Sequence, residues 1–296
     1  MIFLAEKNAV AKPFLKWAGG KTQLLDEIEK RLPDELKTGS IDTYVEPFVG
    51  GGAVFFYIAK KYQSIKHFYL FDINEDLVNC YNTIRNDVKS LIAQLKRLEE
   101  QFLKKTKLSQ ERFYYTVRDK FNSDRSPAKL IYLNKTCYNG LYRVNRKGEF
   151  NVPFGGYENP KICEENNLRA VSETLKKTKV IYGDFEKSER YITSNTFVYL
   201  DPPYRPISRT ASFTSYSKGD FAEEDQIRLS EFSKRIKDKG AKFLLSNSDP
   251  KNGNPTDFFF ERTYKGFNID TVKAARAINC KGSGRGQINE LIIVNY

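Results

Sequence analysis

Asp201-Pro202-Pro203-Tyr204 is the set of neighbouring residues in this chain best equipped for chemistry. It follows the β-prone run Thr196–Leu200, and two prolines after a strand end it abruptly and stiffen the turn. The turn then holds a carboxylate, main-chain carbonyls with no competing N–H at two positions, and an aromatic face. Those parts suit a flat heterocycle with an exocyclic amine: carbonyls and carboxylate accept the amine hydrogens, and the ring stacks on Tyr204. An acidic strand-end turn is the simpler alternative for these four residues alone.

Other candidate residues lie near the start of the chain. Glu46-Pro47-Phe48-Val49-Gly50-Gly51-Gly52 is a glycine-rich turn between a strand and a helix, where backbone can approach a ligand and a helix start offers free N–H groups. Glu46, Phe48, Gly50 and Gly52 are its candidate cofactor residues. Asp72, about 20 residues further on, ends the next strand and suits the two hydroxyls of a ribose; the alternative is a helix cap before Asn74–Leu77. Gly19-Gly20-Lys21-Thr22 resembles the end of a phosphate loop, but the glycine required five places before Gly20 is Leu15. Lys21 beside two glycines still suits a carboxylate, such as the amino-acid end of S-adenosylmethionine, and Trp17 could wall the same pocket. Asp184-Phe185 follows another strand: the aspartate can accept from an adenine and the phenylalanine can cover its face, or Asp184 caps a helix.

The elements that must position these groups are legible as strand–helix alternation. Strands are expected at Ile41–Val45, Phe68–Phe71, Lys179–Tyr182, Thr196–Leu200, Ala241–Ser246 and near 264–270 and 290–295, with helices after Thr22, at Ala53–Ala59 and at 223–237. Between them Leu77, Tyr81, Ile84, Val88, Leu91, Leu95, Leu98 and Phe102 keep a helical period. Further helices are expected at 109–121 and 127–135, then a hairpin-like segment at 138–157. The expected fold is a Rossmann-like α/β sheet with helices on both faces. A mainly helical block, 77–164, is inserted between 1–76 and 165–296.

At 296 residues, 40% hydrophobic and 14% aromatic, the chain can build a sizeable core. It carries 49 Lys+Arg against 37 Asp+Glu, and residues 77–160 hold 16 and 8 of these, so most of the excess falls in the inserted block. That suits a polyanion. One histidine and four cysteines without C-x-x-C spacing argue against a metal centre, and a single histidine leaves little room for His-based catalysis. No signal peptide or membrane span is apparent, and a cytoplasmic location is expected.

Taken together, the residues imply a methyl donor, an amine acceptor and a basic face for DNA. Adenine N6 is a poor nucleophile because its lone pair is spread into the ring. Asp201 and the Pro202 carbonyl can pull on its hydrogens so that the lone pair attacks a sulfonium methyl in line. An adenine inside a duplex must first be flipped out.

With these residues in place, the chain resembles the Dam family of N6-adenine DNA methyltransferases, α group. The shared motifs run F-L-K-W-A-G-G-K (14–21), V-E-P-F-V-G-G-G (45–52), D-I-N (72–74), Y-N-G-L-Y-R-V-N (138–145), G-E-F-N-V-P-F-G (148–155), D-P-P-Y (201–204) and F-T-S-Y (213–216). They are most similar to the GATC-methylating modification enzymes of Dpn-type restriction systems. The resemblance implies S-adenosylmethionine contacts at Trp17, Lys21, Asp72, Asp184-Phe185 and Asp201. It implies DNA contacts at Lys16, Tyr138, Asn139, Leu141 and Arg143. A monomer is expected, and the sequence leaves open whether it pairs with a cognate restriction endonuclease or acts alone. Arg143 can grip a guanine edge, Leu141 can meet a thymine methyl and Tyr138 can wedge where the base leaves. The alternative for this segment is a basic surface turn with Tyr138 and Leu141 in the core. A loosely matching stretch, 275–285, is a phosphate-contact candidate. A non-catalytic DNA-binding scaffold and a nucleoside triphosphatase are the competing functions; Leu15 disfavours the second.

Overall fold

A computed structural model describes residues 9–205, 221–275 and 287–296. The Ser/Thr-rich segment 208–217, with its F-T-S-Y motif, and the basic stretch 276–285 lie outside the described residues. The strands are β1 (Thr43–Glu46), β2 (His67–Asp72), β3 (Thr178–Tyr182), β4 (Thr196–Leu200), β5 (Lys242–Ser248), β6 (Asn268–Ala275) and β7 (Gln287–Val294). The helices are α1 (Leu25–Lys30), α2 (Asp34–Thr38), α3 (Ala53–Lys61), α4 (Glu75–Leu103), α5 (Lys107–Asp124), α6 (Pro127–Thr136), α7 (Glu165–Leu175), α8 (Glu223–Asp238) and α9 (Phe259–Thr263).

The chain groups into two compact units. One comprises Met1–Gly20, Gly50–Lys61 and Asn74–Val180; the other comprises Lys21–Val49, Tyr62–Ile73 and Ile181–Tyr296. The expected insert 77–164 falls whole within the first, together with the N-terminal segment and α3.

The second unit is built on a seven-stranded sheet of order β3-β2-β1-β4-β5-β7-β6, whose strand β3 runs across the unit boundary. β1 is parallel to β2 and β4, and β4 is parallel to β5; β7 is antiparallel to both β5 and β6. From β1 the order grows one way to β2 and β3, then resumes on the other side with β4 and β5. That reversal makes the carboxyl ends of β1 and β4 the ligand rim expected of a doubly wound sheet. Every residue of β1 and β4 is buried, as strands covered on both faces require. On one face Val198, Leu200, Phe243 and Leu245 pack with Leu229, Phe232 and Ile236 of α8 and with Phe259 and Phe260 of α9. On the other, Tyr44 lies between Phe68 and Phe197.

The helix expected after Thr22, ending before Pro33, is present with a tighter first turn. A 3-10 turn, Thr22–Leu24, precedes α1, and Pro33 then caps α2, which closes on Gly39. In the first unit α4 presents Leu77, Tyr81, Ile84, Leu91, Leu95 and Phe102 inward, as its period predicts. It is not continuous: Asp87 leaves helical geometry, and its side chain accepts the Ser90 N–H at 3.2 Å, which restarts the helix. The segment 138–157 is looser than a hairpin ladder, joined by isolated bridges Cys137–Phe154 and Val144–Phe150.

Candidate functional site

β4 delivers Asp201 to the rim, and buried polar groups hold it there. Lys21 Nζ lies 2.7 Å from Asp201 Oδ1, with the lysine only 5% exposed. Ser246, at the carboxyl end of the neighbouring β5, donates its hydroxyl to the same carboxylate at 3.1 Å, and the Ser246 hydroxyl is also 2.9 Å from that of Tyr199. Burial pushes the Asp201 carboxyl above its ordinary value, while the Lys21 charge and the hydrogen bonds from Lys21 and Ser246 pull it down.

The two prolines do what the sequence predicts, ending β4 at Leu200. The turn is further fixed by a buried amide pair. Gln226 on α8 donates to the Pro203 carbonyl at 3.1 Å and accepts from Asn247 at 3.4 Å; Asn247 in turn accepts the Ser248 N–H at 2.9 Å. Pro202 is buried and Pro203 exposed. Tyr204 donates its hydroxyl to Glu290 of β7 at 2.7 Å, and the Lys21 ammonium stands 4.6 Å from its ring centre. Glu290 is 8% exposed, and burial raises its carboxyl too, against the pull of Tyr204 and Lys21.

The same unit holds Glu46, Phe48, Asp72, Asp184 and Phe185. Glu46 ends β1 and is buried, accepting the Tyr44 hydroxyl at 2.7 Å. Asp72 ends β2; the cap of α4 is Asn74, which accepts the Leu77 N–H at 3.0 Å, so the capping alternative for Asp72 falls away. The main-chain carbonyl of Asp72 accepts the Gly183 N–H, tying the ends of β2 and β3 together. Asp184 does cap: it accepts the Glu186 N–H at 3.0 Å and pairs with Arg228 at 3.2 Å. Phe185 is a core ring, packed against Phe48, Phe221 and Phe232. Asp184 thus fills the capping role the sequence left open for it while its side chain stays 42% exposed, and Phe185 also carries the Arg228 guanidinium 5.0 Å from its ring centre.

In the first unit the glycine turn is shaped by the protein's own side chains. A Cβ on Gly52 (φ +74°) would come within 2.5 Å of the Tyr81 hydroxyl, which donates to the Gly50 carbonyl at 3.0 Å. Trp17 lies against Gly50, and its ring is 5.2 Å from that of Tyr142. Tyr142 donates to Asp76 at 2.8 Å, and Arg125 pairs with the same carboxylate at 3.1 Å.

The proposed reading residues cluster on the 138–157 segment of this unit. Tyr138 is 53% exposed, which removes the core alternative for it; Leu141 is half-buried. Asn139 adopts left-handed geometry (φ +56°) and donates its N–H to the Tyr157 hydroxyl at 3.2 Å. Arg143 is exposed and braced by Asn151, to whose side-chain and main-chain oxygens it donates at 2.7 and 3.2 Å. Lys16 is also exposed, its ammonium 5.4 Å from the Tyr157 ring centre.

Residues 17–278 match the model of the D12 class N6 adenine-specific DNA methyltransferases. The chain belongs to that family. Among curated relatives of this methyltransferase, the type II methyltransferase M.MjaIII of Methanocaldococcus jannaschii is 53% identical, over 96% of this chain and 99% of that protein. The type II methyltransferase M1.LlaDCHI of Lactococcus lactis subsp. cremoris is 38% identical over 99% of each. The DNA adenine methylase of Escherichia coli K12 is 33% identical over 95% of this chain and 94% of that protein. The methyltransferase thus acts on adenine N6 in DNA, and membership of this family implies S-adenosylmethionine as methyl donor. Among the described residues no helix is long and apolar enough to cross a membrane.

Sequence reasoning missed Glu290, Ser246, Gln226 and Asn151. Glu290 left a signal, as the only charged residue in the β7 run Gln287–Val294. Ser246-Asn247-Ser248 left another, a polar triplet finishing an apolar strand. Gln226 and Asn151 left none, since a polar residue on a helix or in a loop is ordinary.

Proposed function

We propose that this methyltransferase modifies the adenine of GATC in double-stranded DNA by flipping the base and transferring the methyl in line. The observation that carries the reading is Asp201: a carboxylate at the tip of β4, held by Lys21 and Ser246, directly before a stiff turn whose Tyr204 ring is anchored. S-adenosylmethionine, when bound, supplies a sulfonium methyl. The side chains present fit that ligand: the Asp201 and Glu290 carboxyls both stand near one ammonium, that of Lys21, so the site can take up a further positive centre.

Asp201 and the Pro202 carbonyl accept the two amino hydrogens of the flipped adenine. That concentrates the lone pair on nitrogen: the N–C bond would form as the sulfonium S–C bond breaks and leaves a neutral thioether, and the amine proton would then pass by way of the Asp201 carboxylate to solvent. Pro203 stiffens the turn and Tyr204 stacks on the base. Catalysis is positioning and electrostatics rather than a strong general base. We assign cofactor contacts to Trp17, Lys21, Glu46, Phe48, Gly50, Gly52, Asp72, Asp184, Phe185 and Asp201. We assign DNA contacts to Lys16, Tyr138, Asn139, Leu141 and Arg143, within a recognition block spanning 77–164 set in a catalytic domain of 1–76 and 165–296. The enzyme acts as a cytoplasmic monomer without a metal. The names of its type II relatives support pairing with a cognate restriction endonuclease.

Duplex DNA incubated with labelled S-adenosylmethionine and then sequenced for modified bases tests the reading. Label on the adenine of GATC supports it. A longer site beginning GAT corrects the specificity alone, and no label on adenine ends the proposal. A rise in 2-aminopurine fluorescence at the target position tests flipping separately.

A further inference from the structure

The N-terminal segment that carries Lys16 and Trp17 is held by two buried asparagines in the same manner. Asn134 on α6, 1% exposed, accepts the Lys16 N–H at 2.8 Å and donates to the Lys16 carbonyl at 2.9 Å. Asn167 on α7, 6% exposed, accepts the Lys12 N–H at 3.0 Å and donates to the Lys12 carbonyl at 3.1 Å. Each amide therefore satisfies both main-chain groups of one residue, as a neighbouring strand would.

The two clamps differ in one respect. The second Nδ2 hydrogen of Asn134 goes to the Gly140 carbonyl at 2.8 Å. One side chain thus joins the backbone of Lys16 to the turn Tyr138–Leu141. The fit there is close: a Cβ on Gly140 (φ +64°) would come within 2.4 Å of the Lys16 side chain. Asn167 has the same clamp without a bond to the reading turn.

We propose that Asn134 is a positioning residue for DNA recognition, fixing Lys16 relative to Tyr138, Asn139 and Leu141 so that these contacts meet the duplex in one register. The proposal rests on the assignment of Lys16 and the 138–143 segment as DNA contacts. Asn134 touches no base. It acts by denying its neighbours the freedom to shift, and a small shift is enough to spoil directional hydrogen bonds to base edges.

The test compares Asn134→Ser and Asn134→Asp with Asn167→Ser in the full chain. On duplexes carrying the methylated site mapped by sequencing, and on its single-base variants, one measures kcat, KM for DNA and the ratio of kcat/KM values, together with the melting midpoint. Asn134→Asp keeps the volume and one acceptor while placing oxygen against the Lys16 and Gly140 carbonyls, so it reports even if Asn134→Ser fails to fold.

The expected result is a KM for DNA raised about tenfold and a discrimination ratio lowered about tenfold in the Asn134 variants, with kcat at saturating DNA within about twofold of the parent. Asn167→Ser should lower the melting midpoint yet keep the ratio. An unchanged ratio in Asn134→Asp, or an equal loss in Asn167→Ser, overturns the proposal. Lys16→Ala and Arg143→Ala run alongside. If they lose discrimination while Asn134→Asp keeps it, only the positioning role fails. If they too are unaffected, the DNA-contact assignment has failed and the proposal falls with it.

Discussion

Lys21 Nζ sits 2.7 Å from Asp201 Oδ1, so the carboxylate assigned to chemistry is held by a buried ammonium from a segment 180 positions earlier in the chain. The lysine supports the ionised carboxylate against the burial that disfavours it. Asp201→Asn keeps the shape but puts an amide where the adenine amine needs an acceptor. Methyl transfer should fall by about 10²–10³-fold or more, with DNA affinity kept. A filter-binding assay beside a single-turnover methylation assay checks this; parallel loss of both would make Asp201 structural.

Lys21→Met removes the charge that lowers the Asp201 carboxyl. Its sign is fixed: without the ammonium the neutral acid is favoured, the carboxyl moves still further up, and the acidic limb of residual activity moves to higher pH. A pH profile of kcat/KM for parent and variant measures the shift. A limb that stays in place would show that the ionisation belongs to another group.

Tyr204→Phe keeps the stacking face and loses the hydroxyl that Glu290 accepts. Glu290→Gln keeps an acceptor and loses the charge. If Glu290 acts on Tyr204 through that bond, the double variant should be no worse than Tyr204→Phe alone, a non-additivity read from a double-mutant cycle. Glu290→Gln also has a stability signature. The folded carboxyl is raised, so its favourable contribution is complete below the unfolded value of about 4.3 and is lost as pH rises through the folded value. Relative to the parent, Glu290→Gln should therefore be more stable at neutral pH than at acid pH, as chemical denaturation at the two pH values will report.

Arg143→Ala should cost ~1–3 kcal/mol of discrimination at one guanine. Because Asn151 braces the guanidinium at 2.7 Å, Asn151→Ala should reproduce part of the same loss at the same base. Equal weakening on every sequence would mark Arg143 as a phosphate contact instead.

Gln226→Leu strands the buried Asn247 amide and removes the donor to the Pro203 carbonyl. A cost of about 1–3 kcal/mol in unfolding free energy is expected, with a larger proportional effect on kcat than on cofactor affinity, since the D-P-P-Y turn loses its support. Denaturant unfolding and isothermal titration separate the two effects.

Much of this was readable in the residues. β4 was bounded to the residue by its prolines, and the long period from Leu77 to Phe102 foretold the inward face of α4. The period did not reveal the kink, because Asp87 points outward and interrupts no apolar position. Nor did it reveal α7, although Leu168, Val171 and Leu175 carry helical spacing. At the site, types with an obvious task were found, among them Asp201, Lys21 and Tyr204. Their supports were not, because Ser246, Gln226 and Glu290 become neighbours of the turn only through sheet order and α8 packing. For Asp184-Phe185 the sequence could offer an acceptor or a cap, and only the fold shows the cap made, with Arg228 beside it.

β6 precedes β7 in the chain yet joins the sheet only through it, since β7 lies between β5 and β6. The earlier strand must wait for the later one, a non-local step of the kind that slows folding. Glu290 arrives on β7, so a half-assembled sheet has every residue of D-P-P-Y in its chain and still lacks the acid that anchors Tyr204. Competence for chemistry is thereby tied to completion of the far edge, and a refolding experiment should see activity recover with the slowest structural phase rather than ahead of it.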